Sequence, residues 1–247
     1  SDQYILGISC FYHDSSATLI KNNKIVAATQ EERFSRKKFD NSFPRKSINF
    51  CLNYAGIKIN DLRCISFYEE PFLKLNRILN TKLNHENNLF SFINSTKSWI
   101  DNKFFVEEKI FQELDGFDGE IIFYPHHLSH AASAFFPSPF KQSSVLVIDA
   151  IGEWACTSIG LGEDSNVEII QEQRFPHSLG LFYSTFTQYL GFKVDSGEYK
   201  VMGLAPYGTP IYKDLIKDNV ISINDLGVIE INTEYFDFFM GKRMISN

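Results

Sequence analysis

The sequence predicts an α/β fold made of two units of the type β-β-β-α-β-α. Two observations support this prediction. The amino end reads as three short strands followed by a helix, and a second series of strands begins near Val145, after a long helical stretch. With 247 residues, the chain is long enough for one large domain or two lobes with a sizeable core. Tandem units of this type suggest a duplicated fold with a cleft between its halves, although the two halves share little sequence identity.

The first half of the chain carries local signals for strands and helices. The predicted strands cover residues 5–9, 16–20, 24–29 and 64–68. Asn22 and Asn23 are typical of a hairpin turn, so we expect the first three strands to be antiparallel. A helix is predicted over residues 44–53, because Pro44 suits a first helical turn and apolar residues follow at helical spacing. Residues 71–114 read as a long and mostly helical insertion.

The second half begins after an apolar run at residues 121–124, where a helix is expected to start at Pro125. Further strands are predicted at residues 145–148, 155–161 and 167–173. A helix is predicted over residues 179–190, and residues 191–208 are expected to form an ordered loop. The tail from residue 221 shows no obvious element, so we expect the sequence to stop inside a larger protein.

The composition is that of an ordinary globular protein, with 44% apolar and 22% charged residues. A net charge of -6 argues against general nucleic-acid binding, which requires a basic face. The 4 cysteines form no C-x-x-C pair, and most lie in apolar stretches, so we expect buried free thiols and a reducing cytoplasm. No apolar run reaches the roughly 18 residues that span a bilayer, and no signal peptide is visible.

The histidine-rich segment after the 121–124 run carries the strongest chemical signal. His126 and His130 lie four residues apart, which places both rings on one face of a helix. Asp149 ends the next apolar run and could supply a third ligand, so the pattern predicts a divalent metal such as iron or zinc. The alternative is a helix start with surface histidines. The absence of an H-E-x-x-H glutamate argues against an ordinary zinc protease.

Two polar segments near the amino end are further candidates. His13 in a predicted turn could act as a general base that Asp14 orients, but such residues also stabilise turns without any catalysis. In the charged run 31–38, Arg36 and Lys38 are among four cations that could hold a phosphate or a carboxylate. Charged runs are more often solvated faces, and the two glutamates of this run would weaken an anion site.

Two glycine-containing segments follow the histidines. Residues 149–153 place an acid and a glycine after a strand, where a phosphate or metal could approach the backbone. A plain hairpin turn is about equally consistent with this sequence. Residues 197–208 hold three glycines, a lysine and a proline, without the G-K-[ST] ending of a Walker A motif. This segment fits a rigid loop in a cleft wall and also an ordinary long connection.

Taken together and in this order, these blocks resemble the nodulation-protein and antibiotic O-carbamoyltransferases. The resemblance rests on the blocks 7–9 with 12–15, 31–38, 126–135, 149–153 and 197–208. Each block is weak alone, but the combination spans residues 4 to 208 and is specific. The resemblance implies an amino-terminal transfer domain of the actin-like ATPase and sugar-kinase superfold, related to the tRNA threonylcarbamoyl-transfer protein. It further implies a carboxy-terminal YrdC-like domain that makes carbamoyl-adenylate from carbamoyl phosphate and ATP.

The resemblance also assigns roles to residues. It implies that the transfer domain passes the carbamoyl group to a hydroxyl of a small-molecule or sugar acceptor. A metal, usually Fe(II), would be held by His126, His130 and Asp149 and would grip the nucleotide phosphate. His13 with Asp14 would accept the proton of the attacking hydroxyl. Lys38 and Arg36 would be the cations near the acceptor. The residues near the nucleotide would be Gly152, Glu153, Lys200 and Gly203.

We therefore expect residues 1–142 to form a first lobe, with the insertion at about 71–114, and residues 143–247 to begin an incomplete second lobe. Family members are more than twice this long, so the chain is expected to lack the YrdC-like domain, a last acidic metal ligand and turnover of its own. Rival interpretations are an ATP-dependent kinase or ATPase of the same superfold and a metal-free docking scaffold. A kinase needs an acidic residue in its first strand, where this chain has Gly7, Ile8 and Ser9.

Overall fold

The computed structural model describes residues 2–85, 105–238, 244 and 245, and these residues form two compact units. The first unit comprises residues up to 75 and from 105 to 126, and the second comprises residues 76–85 and those from 127 onward. The predicted lobe boundary between residues 142 and 143 lies later in the chain and stays a prediction. The predicted class, a mixed α/β fold, is confirmed.

The first unit is built on a five-stranded sheet. Its strands are β1 (Tyr4–Ser9), β2 (Ser16–Lys21), β3 (Lys24–Gln30), β4 (Leu62–Phe67) and β5 (Glu120–Phe123). The sheet order is β3-β2-β1-β4-β5, with the first three strands antiparallel and β4 and β5 parallel to β1. Asn22 and Asn23 both have positive φ, 48° and 65°, as the tight hairpin between β2 and β3 requires. The predicted antiparallel opening is therefore confirmed.

The helices described between residues 32 and 113 are α1 (Glu32–Ser35), α2 (Arg45–Ala55), α3 (Pro71–His85) and α4 (Val106–Glu113). Helix α3 begins in the first unit and continues into the second after residue 75. Helix α2 packs on β2 and β3, because Ile48, Cys51 and Leu52 recur on one helical face and are all buried. Helices α3 and α4 form the two ends of the predicted insertion, and residues 86–104 between them lie outside the described residues.

The second unit is built on a three-stranded antiparallel sheet. Its elements are α5 (His126–Phe135), β6 (Gln142–Ile148), β7 (Ala155–Glu163), β8 (Asn166–Arg174) and α6 (Leu179–Tyr189), and the strand order is β6-β7-β8. Helix α5 packs Ala131 and Phe135 against Val145 and Val147 of β6. Gly162 on β7 makes room for this helix, since a Cβ there would lie 2.4 Å from the Phe135 ring.

The segment after α6 departs from the sequence prediction. Residues 191–208 were expected to form a loop, but they contain α7 (Glu198–Leu204) and a 3-10 turn (Ala205–Tyr207). Helix α7 forms because the Glu198 carboxylate accepts hydrogen bonds from the Ser184 hydroxyl of α6 and from the Asp195 and Gly197 N–H groups. These contacts stabilise a glycine-rich segment that has little helical tendency of its own.

The tail also contains structure that the sequence pattern did not reveal. Helix α8 (Lys213–Asn219) leads into β9 (Ile221–Ile223), which pairs with β10 (Ile229–Ile231) as an antiparallel hairpin. Both strands are three residues long, below the length at which alternation is recognisable. Each unit thus contains three consecutive antiparallel strands followed by a helix, but duplication of the whole β-β-β-α-β-α unit stays a prediction.

The four cysteines are buried and none is in a disulfide, as predicted. Within the described ranges, every helix is too short or too polar to cross a membrane.

Candidate functional site

Helix α5 presents the two predicted histidine ligands on one face. Strand β5 ends at Phe123, the Tyr124 N–H still donates to the Phe67 carbonyl at 3.0 Å, and Pro125 then precedes the helix. Because the helix begins at His126 and its rise is about 1.5 Å per residue, His126 and His130 lie about one turn apart on the same face. Helix α5 runs from His126 to Phe135, so both histidines belong to one continuous helix.

Asp149 comes to this face from the end of β6. Its N–H donates to the Cys156 carbonyl at 2.9 Å, which extends the pairing of β6 with β7 by one residue. Its Oδ1 accepts from the Ala150 N–H at 2.7 Å, which restrains the carboxylate. One ligand atom each of His126, His130 and Asp149 lies within 4.8 Å of the others. The structure therefore brings the three predicted ligands together.

The three side chains fit a divalent transition metal. Two imidazole nitrogens and one carboxylate oxygen are a donor set that iron and zinc accept. With metal–ligand distances of about 2.0–2.2 Å, ligands on one ion lie no more than about 4.4 Å apart. The three ligand atoms lie within 4.8 Å of one another, which is close to that range.

The turn that follows Asp149 is closed by its own backbone. The Gly152 N–H donates to the Ala155 carbonyl at 2.9 Å, so this predicted nucleotide-binding group is already used in the turn. Glu153 is buried at 5% exposure. Cys156 lies beside this turn, and burial raises the pKa of its thiol to about 12, which keeps it protonated near neutrality.

His13 and Asp14 form a second local group, in the first unit. The loop after β1 turns sharply, with Asp14 at φ 47°, and the His13 Nδ1 lies 2.9 Å from the Asp14 Oδ2. If Nδ1 carries the proton, it donates to the carboxylate, and Nε2 keeps its lone pair as a base. The His13 side chain is 54% exposed, so a substrate can reach it. This contact would let Asp14 orient the His13 ring, and that role stays a prediction.

The predicted substrate-binding cations, Arg36 and Lys38, are exposed in the segment after α1. Arg36 has a left-handed φ of 59° and ends α1 with a backbone bond to Glu32. The expectation that the whole 31–38 run is surface is wrong for Glu31. This carboxylate is 4% exposed and accepts from the N–H groups of Lys46 and Ser47 at the start of α2.

Lys200 and Gly203 lie on α7 in the second unit, and both are exposed. The Lys200 Nζ lies 5.9 Å from the centroid of the Phe192 ring. In the part of the chain that the structure describes, the side chains of Lys200, Arg36 and Lys38 form no hydrogen bond with either local group. Their predicted roles stay predictions.

Buried polar residues beside the site were missed at the level of the sequence. His127 is 3% exposed and its Nδ1 lies 2.7 Å from the hydroxyl of Ser158 on β7. Ser178 caps α6 and also donates to the carbonyl of Ala150. A serine before an apolar helix is a recognisable N-cap signal, but its bond to the Asp149 turn is a tertiary contact that no local pattern reports.

The chain is similar to known proteins over most of its length. The model of the carbamoyltransferase N-terminus matches residues 4–247. The uncharacterized protein sll1178 of Synechocystis sp. is 48% identical over 249 residues, covering 98% of this chain and 40% of that protein. Nodulation protein NolNO of Sinorhizobium fredii is 37% identical over 211 residues, covering 84% of this chain and 30% of that protein. The chain thus spans less than half the length of these relatives.

A solved structure similar to this chain is component A of (R)-2-hydroxyglutaryl-CoA dehydratase from Acidaminococcus fermentans. It is 16% identical, with a TM-score of 0.37, covering 86% of this chain and 72% of that chain. That score is too low to assign a shared fold. The family match covers nearly every residue, including the His126, His130 and Asp149 group. The chain belongs to the carbamoyltransferase family and corresponds to its amino-terminal region.

Proposed function

We propose that this chain provides the transfer site at which a carbamoyl group passes from a carbamoyl-adenylate to a hydroxyl of a small-molecule or sugar acceptor. The observation that carries the proposal is the convergence of His126, His130 and Asp149 in a chain of the carbamoyltransferase family. The donor would be made from carbamoyl phosphate and ATP by a YrdC-like domain outside this sequence. The fold that we propose for this role is the actin-like one that the family resemblance implies.

In this proposal, His126, His130 and Asp149 would hold a divalent metal such as Fe(II). When bound, the metal would supply a Lewis acid and a template for the nucleotide phosphate. Both histidines project from one helix and Asp149 from a strand end, so the donor set is held by elements of regular structure. The bond from the Ala150 N–H to the Asp149 Oδ1 would keep the carboxylate oriented toward the histidines.

His13 is the proposed general base of the transfer step. The acceptor oxygen attacks the carbamoyl carbon, the bond from that carbon to the phosphate oxygen breaks, and AMP leaves. His13 Nε2 takes the hydroxyl proton, and Asp14 stabilises the imidazolium through its bond to Nδ1. Arg36 and Lys38 are exposed and could reach an anionic or polar acceptor group. Gly152, Glu153, Lys200 and Gly203 are proposed nucleotide neighbours on the strength of the family resemblance alone.

Metal analysis separates this proposal from its rivals. Protein purified anaerobically should retain iron or bind added Co(II) at one site, and His126→Ala should lose it. His13→Ala is the matched control, because it also removes one imidazole but leaves the three ligands in place. A metal-free protein that takes up no Co(II) would favour the docking scaffold, and metal retained by His126→Ala would contradict the assigned ligands.

Activity assays test the rest of the proposal. The chain alone, given carbamoyl phosphate, ATP and a hydroxyl acceptor, should produce no carbamoylated product. The longer protein that includes the carboxy-terminal region should produce it, and His13→Ala in that protein should lower kcat by about 10²–10⁴-fold. Turnover by this chain alone would contradict its assignment as an incomplete transfer domain. Transfer of the γ-phosphate of ATP to the acceptor would favour the kinase alternative.

A further inference from the structure

Two of the most deeply buried hydroxyls of the second unit bond to the segments that carry the candidate ligands. Ser158 on β7 is 1% exposed and Ser178 before α6 is 0% exposed. Ser158 contacts α5, which carries both histidines, and Ser178 contacts the backbone of Asp149 and Ala150. Neither serine is itself a candidate ligand.

The first contact sets the rotation of helix α5. His127 follows His126 by about 100° around the helix, so its ring points into the sheet while the ligand face points elsewhere. The bond of 2.7 Å between the His127 Nδ1 and the Ser158 hydroxyl ties this inward face to β7. Side-chain atoms lie about 5–6 Å from a helix axis, so a 20° rotation would move a ligand nitrogen by roughly 2 Å, a whole metal–ligand distance.

The same serine is in register with the strand that leads to Asp149. Ser158 pairs with Val147 of β6, two residues before the carboxylate. The Ser158 hydroxyl therefore links the helix of the two histidines to the ladder that places the aspartate. This buried bond thus connects α5 to the strand that pairs with β6.

The second contact seats the start of α6 on the turn after β6. The Ser178 hydroxyl lies 2.6 Å from the Ala150 carbonyl and 3.3 Å from the Asp149 carbonyl, and it accepts from the Leu181 N–H at 3.0 Å. Gly180 allows this close approach. A Cβ at that position would lie 2.5 Å from the Asp149 carbonyl oxygen and 2.6 Å from the Ala150 nitrogen. The helix thus packs directly on the peptide bond that follows the candidate ligand.

We propose that Ser158 and Ser178 are positioning residues of the metal centre, with Ser158 orienting the histidine helix and Ser178 holding the backbone of Asp149. This inference rests on the proposed metal centre. Partners one step removed from a metal commonly change its affinity by about 10–100-fold when they are lost, because the ligands must then be ordered on binding. Loss of either hydroxyl should act on the metal without removing any ligand.

Co(II) titration of the folded chain tests the proposal, with the visible absorption band of the ion as the readout. Ser158→Ala and Ser178→Ala should each weaken Co(II) binding by about 10–100-fold and alter the band, because the ligand geometry relaxes. Ser178→Thr and His127→Asn each keep a group that can make the respective bond. These variants should therefore retain most of the wild-type affinity for Co(II). Thr187→Val is the matched control, since its hydroxyl is also 0% exposed but donates to the Tyr183 carbonyl within α6.

The outcomes distinguish failure of this inference from failure of the proposed metal centre on which it rests. Wild-type protein that binds no Co(II) would overturn the metal centre and the inference together. Wild-type binding with unchanged affinity in both serine variants would overturn the inference alone. An equal loss of affinity in Thr187→Val would also overturn it, because general destabilisation would then explain the effect. If Ser178→Ala does not fold, Ser158→Ala is judged by the same criterion.

Discussion

Replacing Glu31 should destabilise the first unit through the start of helix α2. The residue before α2 is Pro44, which offers no side-chain cap, so the first N–H groups of the helix need an acceptor from elsewhere. The Glu31 carboxylate supplies it, accepting from Ser47 N–H at 2.8 Å and from Lys46 N–H at 3.2 Å. Glu31 and Ser47 are buried, whereas Lys46 is exposed and its N–H can turn to water. The Ser47 bond therefore carries most of the effect.

The magnitude follows from these contacts. A hydrogen bond to a charged group contributes about 1.5–3 kcal/mol, and a negative charge at a helix start adds up to about 2 kcal/mol in a partly buried position. These contributions overlap, so Glu31→Ala should lower the free energy of unfolding by about 3 kcal/mol, equivalent to about 6–12 °C in Tm. Glu31→Gln keeps an acceptor oxygen without the charge and should cost about 1 kcal/mol.

Urea denaturation followed by circular dichroism measures the change, and hydrogen exchange of α2 peptides localises it. Glu113→Ala is the matched control. Glu113 also contacts α2, but through an exposed ion pair with Arg45. Such a pair contributes less than about 1 kcal/mol to the free energy of unfolding. If Glu31→Ala costs no more than Glu113→Ala, or if exchange in α2 is unchanged, the reasoning from the buried bond is wrong.

Three further results are expected. Glu69→Gln should destabilise the chain by about 3–5 kcal/mol in urea, because it leaves the buried Lys74 without its carboxylate, and replacing both by leucine should cost less. Hydrogen bonds from Ser35 and Ser42 lower the pKa of Asp40 to about 2. The wild-type protein should therefore be more stable than Asp40→Asn above about pH 4, and this difference in the free energy of unfolding should vanish as the pH falls through 2. Iodoacetamide at pH 8 should leave all four buried thiols unmodified in native protein and label them in urea, as mass spectrometry would show.

These three predictions have distinct contrary outcomes. A double leucine variant that is less stable than Glu69→Gln would mean that the ion pair itself, and not the stranded ammonium, dominates. An Asp40→Asn difference that is constant from pH 6 to pH 2 would contradict the lowered pKa. Rapid labelling of native Cys156, whose exposure is 0%, would show that its side of the sheet opens readily.

Local signals were sufficient for most of the secondary structure. Asn22 and Asn23 predicted the β2–β3 hairpin because their side chains tolerate the positive φ that the turn needs. Helix α5 was expected from the proline before it, and it begins at His126. Helix α7 was missed because its support comes from Ser184 of α6, a contact between segments that no window of sequence contains.

The same distinction between local and tertiary signals applies to the candidate site. The spacing of His126 and His130 is a property of any helix, so the sequence could place both on one face. Asp149 could be proposed as a third ligand from its place at a strand end, but its distance from the histidines depends on how α5 packs on the sheet. The burial of Glu31 was not foreseeable from its charged run, because its partner N–H groups lie 15 and 16 residues later.

By itself, the sequence determined the α/β class, the order of most strands and helices up to about residue 190, the histidine pair and the family to which the chain belongs. These features follow from periodicity and from residue types at fixed spacing, which act over a few residues. Only the tertiary structure decided that Asp149 lies near the histidines and that Ser158 and Ser178 form hydrogen bonds to the segments that carry these residues. Such contacts join residues tens of positions apart, and their formation depends on the packing of whole elements.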